Sequence, residues 1–280
     1  MSELSYLSRI TLKPQIADSS HLALLIAGNG YGMHRLLWDL FPGRDGQRRD
    51  FLFREEREDR QGGDRRRPMF YLLSPEPPSQ DSPLFRVEST QYQPQLRAGD
   101  RLTFKLRANP VVSRRQPGRK NSVNHDVVMD SQHQLLCQLC RAAGLPDSGD
   151  KGDKLARLGQ LDGDRLRHLL PTELADQAEL SGGGMLPLQQ LLRRQVDQAL
   201  FDWLELRAER NGFQLAGNAL EATGYEWRPL PEKGRNAGFS SVDYQGALTV
   251  TDPERFTRML HQGLGKARAF GCGLMLVRRL

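Results

Sequence analysis

The residues best suited to chemistry close the chain, in GLGKARAFGCGLMLVRRL (263–280). Gly263, Gly265, Gly271 and Gly273 surround Lys266 and Arg268, and no acidic residue occurs from Arg255 onward. Glycines let backbone N–H groups approach an anion closely, and adjacent cations favour phosphate. Composition therefore points to a polyanion-binding loop between a helix and a last strand. A second basic stretch runs from Arg101 to Lys120, with Arg101, Lys105, Arg107, Arg114, Arg115, Arg119 and Lys120 and no acid. Brought together, two such segments make the electrostatic footprint of a nucleic-acid partner. The part around Pro117–Gly118 also fits a solubilising hairpin, although its clustered charge suits phosphates or a groove.

The side chains able to move protons are harder to rank. Six histidines are present, His21, His34, His125, His133, His168 and His261. On residue type alone His34 is one candidate among them, since helical histidines are commonly exposed or packed. His125 and His261 stay open as second participants. His133, Cys137 and Cys140 look like half of a zinc site, but no second CxxC or HxxxH supplies the rest, so small helix-packing thiols are the better reading. No HxxE pattern and no Walker motif GxxxxGK[ST] occurs, which leaves a metal-dependent nuclease without support.

These groups must be held by elements that hydropathy patterning outlines. The chain has 280 residues, 38% hydrophobic and 26% charged, with a formal charge of +6, as expected of a soluble globular protein of two domains. Three cysteines are too few for a disulfide framework. There is no signal-peptide pattern, and the longest near-apolar run, Leu22–Ala27, is too short to span a bilayer. A reduced, cytoplasmic protein without a membrane anchor is the expectation. Leu4–Leu12 alternates as a strand. A helix follows over residues 22–26 and resumes over 31–41 with Leu37, Leu40 and Phe41 inward. Strands are expected at 51–54, 69–73 and from Phe85, separated by a charged segment (44–67) that reads as a solvated hairpin and by a proline-rich turn (75–83).

A second unit opens at Arg101, where Leu102, Phe104, Leu106 and Ala108 alternate with polar residues. Residues 131–143 and 166–180 look helical around a glycine- and aspartate-rich stretch. Residues 187–211 form the clearest helix, with Leu188, Leu191, Leu192, Leu200, Trp203 and Leu204 on one stripe and Gly212 as C-cap. Strands follow from Phe213 and over 239–251, with a bulge expected at Gly246. Thr251-Asp252-Pro253-Glu254 starts a last helix with Phe256, Met259, Leu260 and Leu264 inward, and Leu274–Val277 ends the chain as a strand. The order is βαββαβ twice, with the second helix of the first unit abbreviated. The fold class is therefore α+β, two tandem ferredoxin-like (RRM-like) domains. The first spans 1–100. The second spans 101–280, with an insertion around 144–187 and the glycine-rich loop near its end. The sheets lack an RRM's stacking aromatics, so the fold alone does not establish RNA binding.

Three stretches, YGMHRLLWDLFP, GFSSVDYQGALTVTDPERF and GLGKARAFGCGLMLVRR, together resemble the CasE family, the CRISPR-associated endoribonucleases of type I-E Cascade. The likeness covers both units in order and spacing, with 144–187 the least familiar part. It implies cleavage of CRISPR repeat RNA beside its stem-loop without a metal or cofactor, the ribose 2′-OH attacking the adjacent phosphate. The family's catalytic histidine falls on His34 and its tyrosine on Tyr31. Histidine can serve as acid or base, whereas tyrosine better orients groups or donates a hydrogen bond. Arg35 and Lys266 are weaker candidates for charge stabilisation. RNA contacts are expected from Arg35, Arg107, Arg114, Arg115, Arg119 and Lys120, and from Gly263, Gly265, Lys266, Arg268 and Gly271 in the loop. The implied partners are the CRISPR RNA repeat hairpin, retained after cleavage, and other Cascade subunits, including the backbone subunit beside the crRNA 3′ hairpin. The alternative is a non-catalytic hairpin-binding subunit on the same fold.

Overall fold

A computed structural model of the chain describes residues 4–13, 30–43, 50–57, 68–115, 118, 122–172, 185–217, 220–230, 234 and 237–280. The helix expected over 22–26 and most of the charged segment 44–67 lie outside these residues. The chain divides into two compact units, one of Met1–Asn109 with Arg207–Leu280 and one of Pro110–Leu206. Both large sheets belong to the first unit. These units are drawn differently from halves parted at residue 100, and the 144–187 segment lies wholly within the second.

The N-terminal sheet contains β1 (Tyr6–Leu12), β2 (Leu52–Arg57), β3 (Pro68–Ser74) and β4 (Phe85–Gln91), in the order β2-β3-β1-β4 and antiparallel throughout. Helix α1 (Gly30–Trp38) connects β1 to β2. Residues 75–84 cross from β3 to β4 through bends without a helix, because Pro75, Pro77, Pro78 and Pro83 would break one. The sheet's inner face carries Ile10, Leu12, Phe53, Phe70, Leu72 and Phe85, and α1 lays Met33 and Leu37 on it, with Leu40 and Phe41 closing the end. Helical spacing in α1 and alternation in the strands thus converge on one core.

The C-terminal sheet repeats this order. It contains β5 (Arg101–Ala108), β8 (Phe213–Leu215), β10 (Gly238–Val250) and β11 (Met275–Arg279), arranged β11-β5-β10-β8, with β9 (Glu221–Pro229) pairing further along β10. Counted within each sheet, both read fourth-first-third-second, the ferredoxin-like arrangement. Helix α6 (Pro253–Gln262) precedes β11, capped by Asp252, whose carboxylate accepts from Arg255 N at 3.1 Å. Phe256, Met259, Leu260 and Leu264 are buried as their spacing requires. The bulge expected at Gly246 is not there: Gly246 pairs regularly with Phe104, and the register instead shifts between Ser241 and Asp243, where β9 meets β10. A glycine opposite a large ring fits the pleat without an extra residue. The sheets are joined by an apolar contact in which Leu52 and Leu73 of one meet Leu274 ahead of β11, flanked by Leu7, Tyr71, Tyr92 and Leu276.

The second unit starts with the hairpin β6 (Val111–Arg114) and β7 (Val123–Asp126), followed by α2 (Val127–Ala142), α3 (Lys151–Gly159), α4 (Gly163–Leu169) and α5 (Met185–Arg210), whose last turn from Arg207 is counted with the first unit. The aspartates that obscured this region in the sequence are helix caps. Asp126, Asp150 and Asp162 each accept from a backbone N–H of the following first turn, and Asp153 completes a capping box with Asp150. Leu136, Leu139, Cys140, Leu158, Leu188 and Leu192 form the core, and Trp203 is buried with Nε1 donating to Val111 O at 3.1 Å.

Candidate functional site

His34 lies in the middle of α1, and Tyr31 lies three residues earlier in the same helix. The imidazole is 2% exposed, stacked on Phe51 at 5.0 Å between ring centroids and tilted against Phe53 at 5.8 Å. Its position follows from spacing, because residues 34 and 37 fall on one helical face and Leu37 is core. Arg35 is the neighbour that points to solvent. His34 is therefore a walled group, closed off on this side by the phenylalanines.

The glycine-rich loop is a built turn. Leu264 N donates to Gly273 O at 2.9 Å and Gly273 N to Arg107 O at 2.7 Å, which closes the loop and hangs it from β5. Within it, Arg268–Phe270 forms a 3-10 turn that packs on both α1 and β2. Gly263 has φ 76° and Gly271 φ 82°. At Gly263 a Cβ would meet Leu52 at 2.9 Å, and at Gly271 it would meet the Phe53 ring at 3.2 Å. Glycine is required at both, for conformation and for room. Lys266 and Arg268 are exposed, Arg268 Nε donating to Gly265 O at 3.1 Å. Phe53 thus touches the loop at Gly271 on one side and the His34 ring on the other, and the turn Arg268–Phe270 lies against α1, the helix that carries His34.

Other sequence candidates have different surroundings. Arg107 gives Asp243 a forked pair, Nε–Oδ1 3.1 Å and Nη2–Oδ2 2.9 Å. Burial disfavours its charge, but the hydrogen bond and charge of Asp243 more than offset this, and its pKa lies above the ordinary arginine value. Arg114 is bonded to Asp130, Nε–Oδ1 2.9 Å and Nη2–Oδ2 2.6 Å, and is likewise raised by that hydrogen bond. Both guanidinium charges already have carboxylate partners. Arg115 is exposed, whereas Arg119 and Lys120 lie outside the described residues. Arg114 and Arg115 belong to the second compact unit.

Among the remaining histidines, His261 stacks edge-on with Tyr92 at 5.6 Å, and His168 Nδ1 lies 2.6 Å from Asp164 O. His125 is half-buried in β7, and His21 is not among the described residues. His133 Nε2 lies 3.5 Å from Cys137 Sγ, yet among the described residues no three His, Cys, Asp or Glu side chains converge on a possible metal site. Cys272, buried inside the loop, has its thiol pushed up to about 12 by burial, and burial likewise takes Tyr92 to about 12. The thiolate is the reactive form, so Cys272 is a packing group.

Sequence reasoning missed Phe51, Phe53, Arg54 and Asp243. Asp243 did carry a signal, as an acid in an alternating strand opposite a strand bearing Arg107, since aspartate is depleted from strand interiors.

Comparison with known proteins finds relatives and solved structures that match along most of the chain. Cascade subunit CasE of Escherichia coli (strain K12) is 24% identical over 252 residues, 88% of this chain and 89% of that protein. The CRISPR-associated endoribonuclease Cse3 of Thermus thermophilus is 35% identical over 85 residues, 27% of this chain and 40% of that protein. Thermus thermophilus Cse3, solved with an RNA representing a pre-cleavage complex, has a similar fold at TM-score 0.55 and 21% identity, covering 98% of both chains. E. coli Cas6e has it at 0.52 and 19%, covering 98% of this chain and 100% of that one. The family model described as CRISPR associated protein matches residues 5–279, and the chain belongs to that family.

Proposed function

We propose that this protein is an endoribonuclease that cleaves CRISPR repeat RNA next to its stem-loop to give crRNA, and then stays on the hairpin as a subunit of Cascade. The observation that carries this reading is the 3-10 turn of the glycine-rich loop lying against α1 and β2, which brings Arg268, with Lys266 two residues before it, to the helix that carries His34. Relatives named as a Cascade subunit and as an endoribonuclease support it.

The reaction needs no metal in this scheme. The ribose 2′-OH attacks the adjacent phosphorus, its proton passes to a base, and the P–O5′ bond breaks as an acid protonates the leaving oxygen. The products are a 2′,3′-cyclic phosphate and a 5′-hydroxyl. His34 serves as acid or base once uncovered, Tyr31 orients the reacting groups, and Lys266 with Arg268 offsets charge developing on the phosphorane. Arg35 is exposed beside His34 for a phosphate contact. Arg115, Arg119 and Lys120 are further candidates for contacts to an A-form stem, which is read through phosphates and 2′-hydroxyls. Arg107 and Arg114 would serve mainly to shape their surroundings, their charges being shared with Asp243 and Asp130. Retention of the hairpin would seat the protein beside the Cascade backbone subunit. Three free thiols suit a reducing cytoplasm, and no described helix is long and apolar enough to cross a membrane.

The burial of His34 favours one rival, a hairpin-binding subunit that does not cut. Incubating a labelled repeat hairpin in EDTA separates the two. A 2′,3′-cyclic end from wild type, absent with His34→Ala at unchanged affinity, supports cleavage; uncut RNA supports the rival, and a 3′-hydroxyl formed only with added metal rejects the mechanism.

A further inference from the structure

Asp243 is an acid within β10, and it joins arginines from both sheets. Arg107 stands directly across from it in β5. Arg54 reaches it from β2 of the other sheet, Nη2–Oδ1 3.1 Å, and also pairs with Glu56 on its own strand. The side chains are 5% exposed for Arg54, 15% for Arg107 and 31% for Asp243. Ion pairs this dry contribute little net stability, because lost hydration offsets their attraction, and an apolar residue of similar size often holds such a position better. Arg54 is further disfavoured, since its buried Nη1 makes no hydrogen bond among the described residues. Stability alone is a poor reason for an arginine here.

Both ends of the cluster lead to the candidate site. The carbonyl of Arg107 holds Gly273 N at 2.7 Å, so the cationic loop hangs from the same residue that forks onto Asp243. Arg54 follows Phe53 in β2, and the Phe53 ring lies against both Gly271 and His34. One connected path therefore runs from the loop through Arg107, Asp243 and Arg54 to the wall of His34. An ion pair sets distance and direction more narrowly than apolar packing, because its hydrogen bonds weaken steeply with angle.

We infer that Arg54 and Asp243 are positioning residues, which fix the cationic loop relative to His34 so that RNA is cleaved and not merely bound. This rests on the cleavage reading above. Neither residue need touch RNA. Arg54→Met is the sharpest variant, because it removes the ion pair between the sheets while leaving the Asp243–Arg107 fork whole. Arg54→Lys restores a charge at the same place.

The test measures single-turnover cleavage of a saturating repeat hairpin, the Kd for that hairpin with a 2′-deoxy scissile nucleotide, and amide hydrogen exchange over residues 263–273. Arg54→Met is expected to cleave at least tenfold more slowly with Kd within twofold of wild type, and to exchange faster in the loop. Arg54→Lys should recover to within about threefold of the wild-type rate. Should Arg54→Met not fold, Asp243→Glu carries the same test, since it keeps both ion pairs but lengthens the link by one methylene. A cleavage rate equal to wild type in the folded variant overturns the inference, as does loss of affinity in parallel with rate. A wild type that binds the hairpin without cutting it rejects the cleavage reading itself, and the positioning role with it.

Discussion

The two sheets of the first unit share one topology and differ in what they carry. The N-terminal sheet bears an aromatic wall with a histidine behind it, and bends replace its second helix. The C-terminal sheet keeps α6 and ends it in a glycine-built loop with two exposed cations. Under the proposed function one sheet offers the place for a proton and the other the place for a negative charge. A duplicated scaffold allows this division because each sheet buries its own core, so the remaining surfaces are left to specialise.

The strongest way to break the comparison is His34→Ala. If the N-terminal half alone supplies proton chemistry, cleavage falls by about 10²–10⁴-fold while the affinity for the hairpin and its salt dependence stay put, measured by single-turnover kinetics and filter binding. Next in size is Gly263→Ala, which places a methyl where Leu52 stands and holds alanine at a positive φ. Denaturant titration should show a loss of about 2–4 kcal/mol, combining backbone strain with overpacking. Lys266→Ala and Arg268→Ala test the other half. Each should lower the slope of log affinity against log salt by about 0.7–0.9 for every phosphate it no longer neutralises, an effect His34→Ala lacks.

The smallest effect sets the halves against alkali. Folded Cys272 holds its proton to about 12 against 9.0 for the free group, so the folded state retains a proton that the unfolded chain gives up. Stability is therefore whole below pH 9 and declines as pH rises toward 12, by at most about 1.4 kcal/mol per pH unit for one such group. Tyr92 adds a decline that starts near 10. Urea midpoints at about pH 8 and pH 9.8 should fall for wild type and fall less for Cys272→Ala. An identical decline would assign the loss to other groups.

Much of this fold is legible in the chain because its signals are local. Alternation marks β5 and β10, Thr251-Asp252-Pro253 marks the start of α6, and Leu37, Leu40 and Phe41 mark the core side of α1. Even the burial of His34 is written in its spacing from Leu37. The pairings between sheets are not local. Arg107 alternates as a surface residue of β5 yet reaches Glu55 O in β2 of the other sheet, and Arg54 finds Asp243 across 189 positions of sequence. No periodicity encodes such a pairing. Arg114 looks like one of a basic run until the hairpin folds against α2 and delivers Asp130 to it.

The loop's tight corners also govern how this protein could diverge. A methyl at Gly263, Gly271 or Gly273 meets a neighbour at 2.9, 3.2 or 3.0 Å, whereas the side chains of Lys266 and Arg268 are exposed to solvent. Mutational drift is thereby funnelled away from the corners of the turn and into its two charged positions. A lineage facing a new repeat could trial different side chains there while the glycine corners stay fixed, at the cost for Arg268 of its bond to Gly265 O, and a laboratory selection for altered RNA preference would do best to randomise those same two codons.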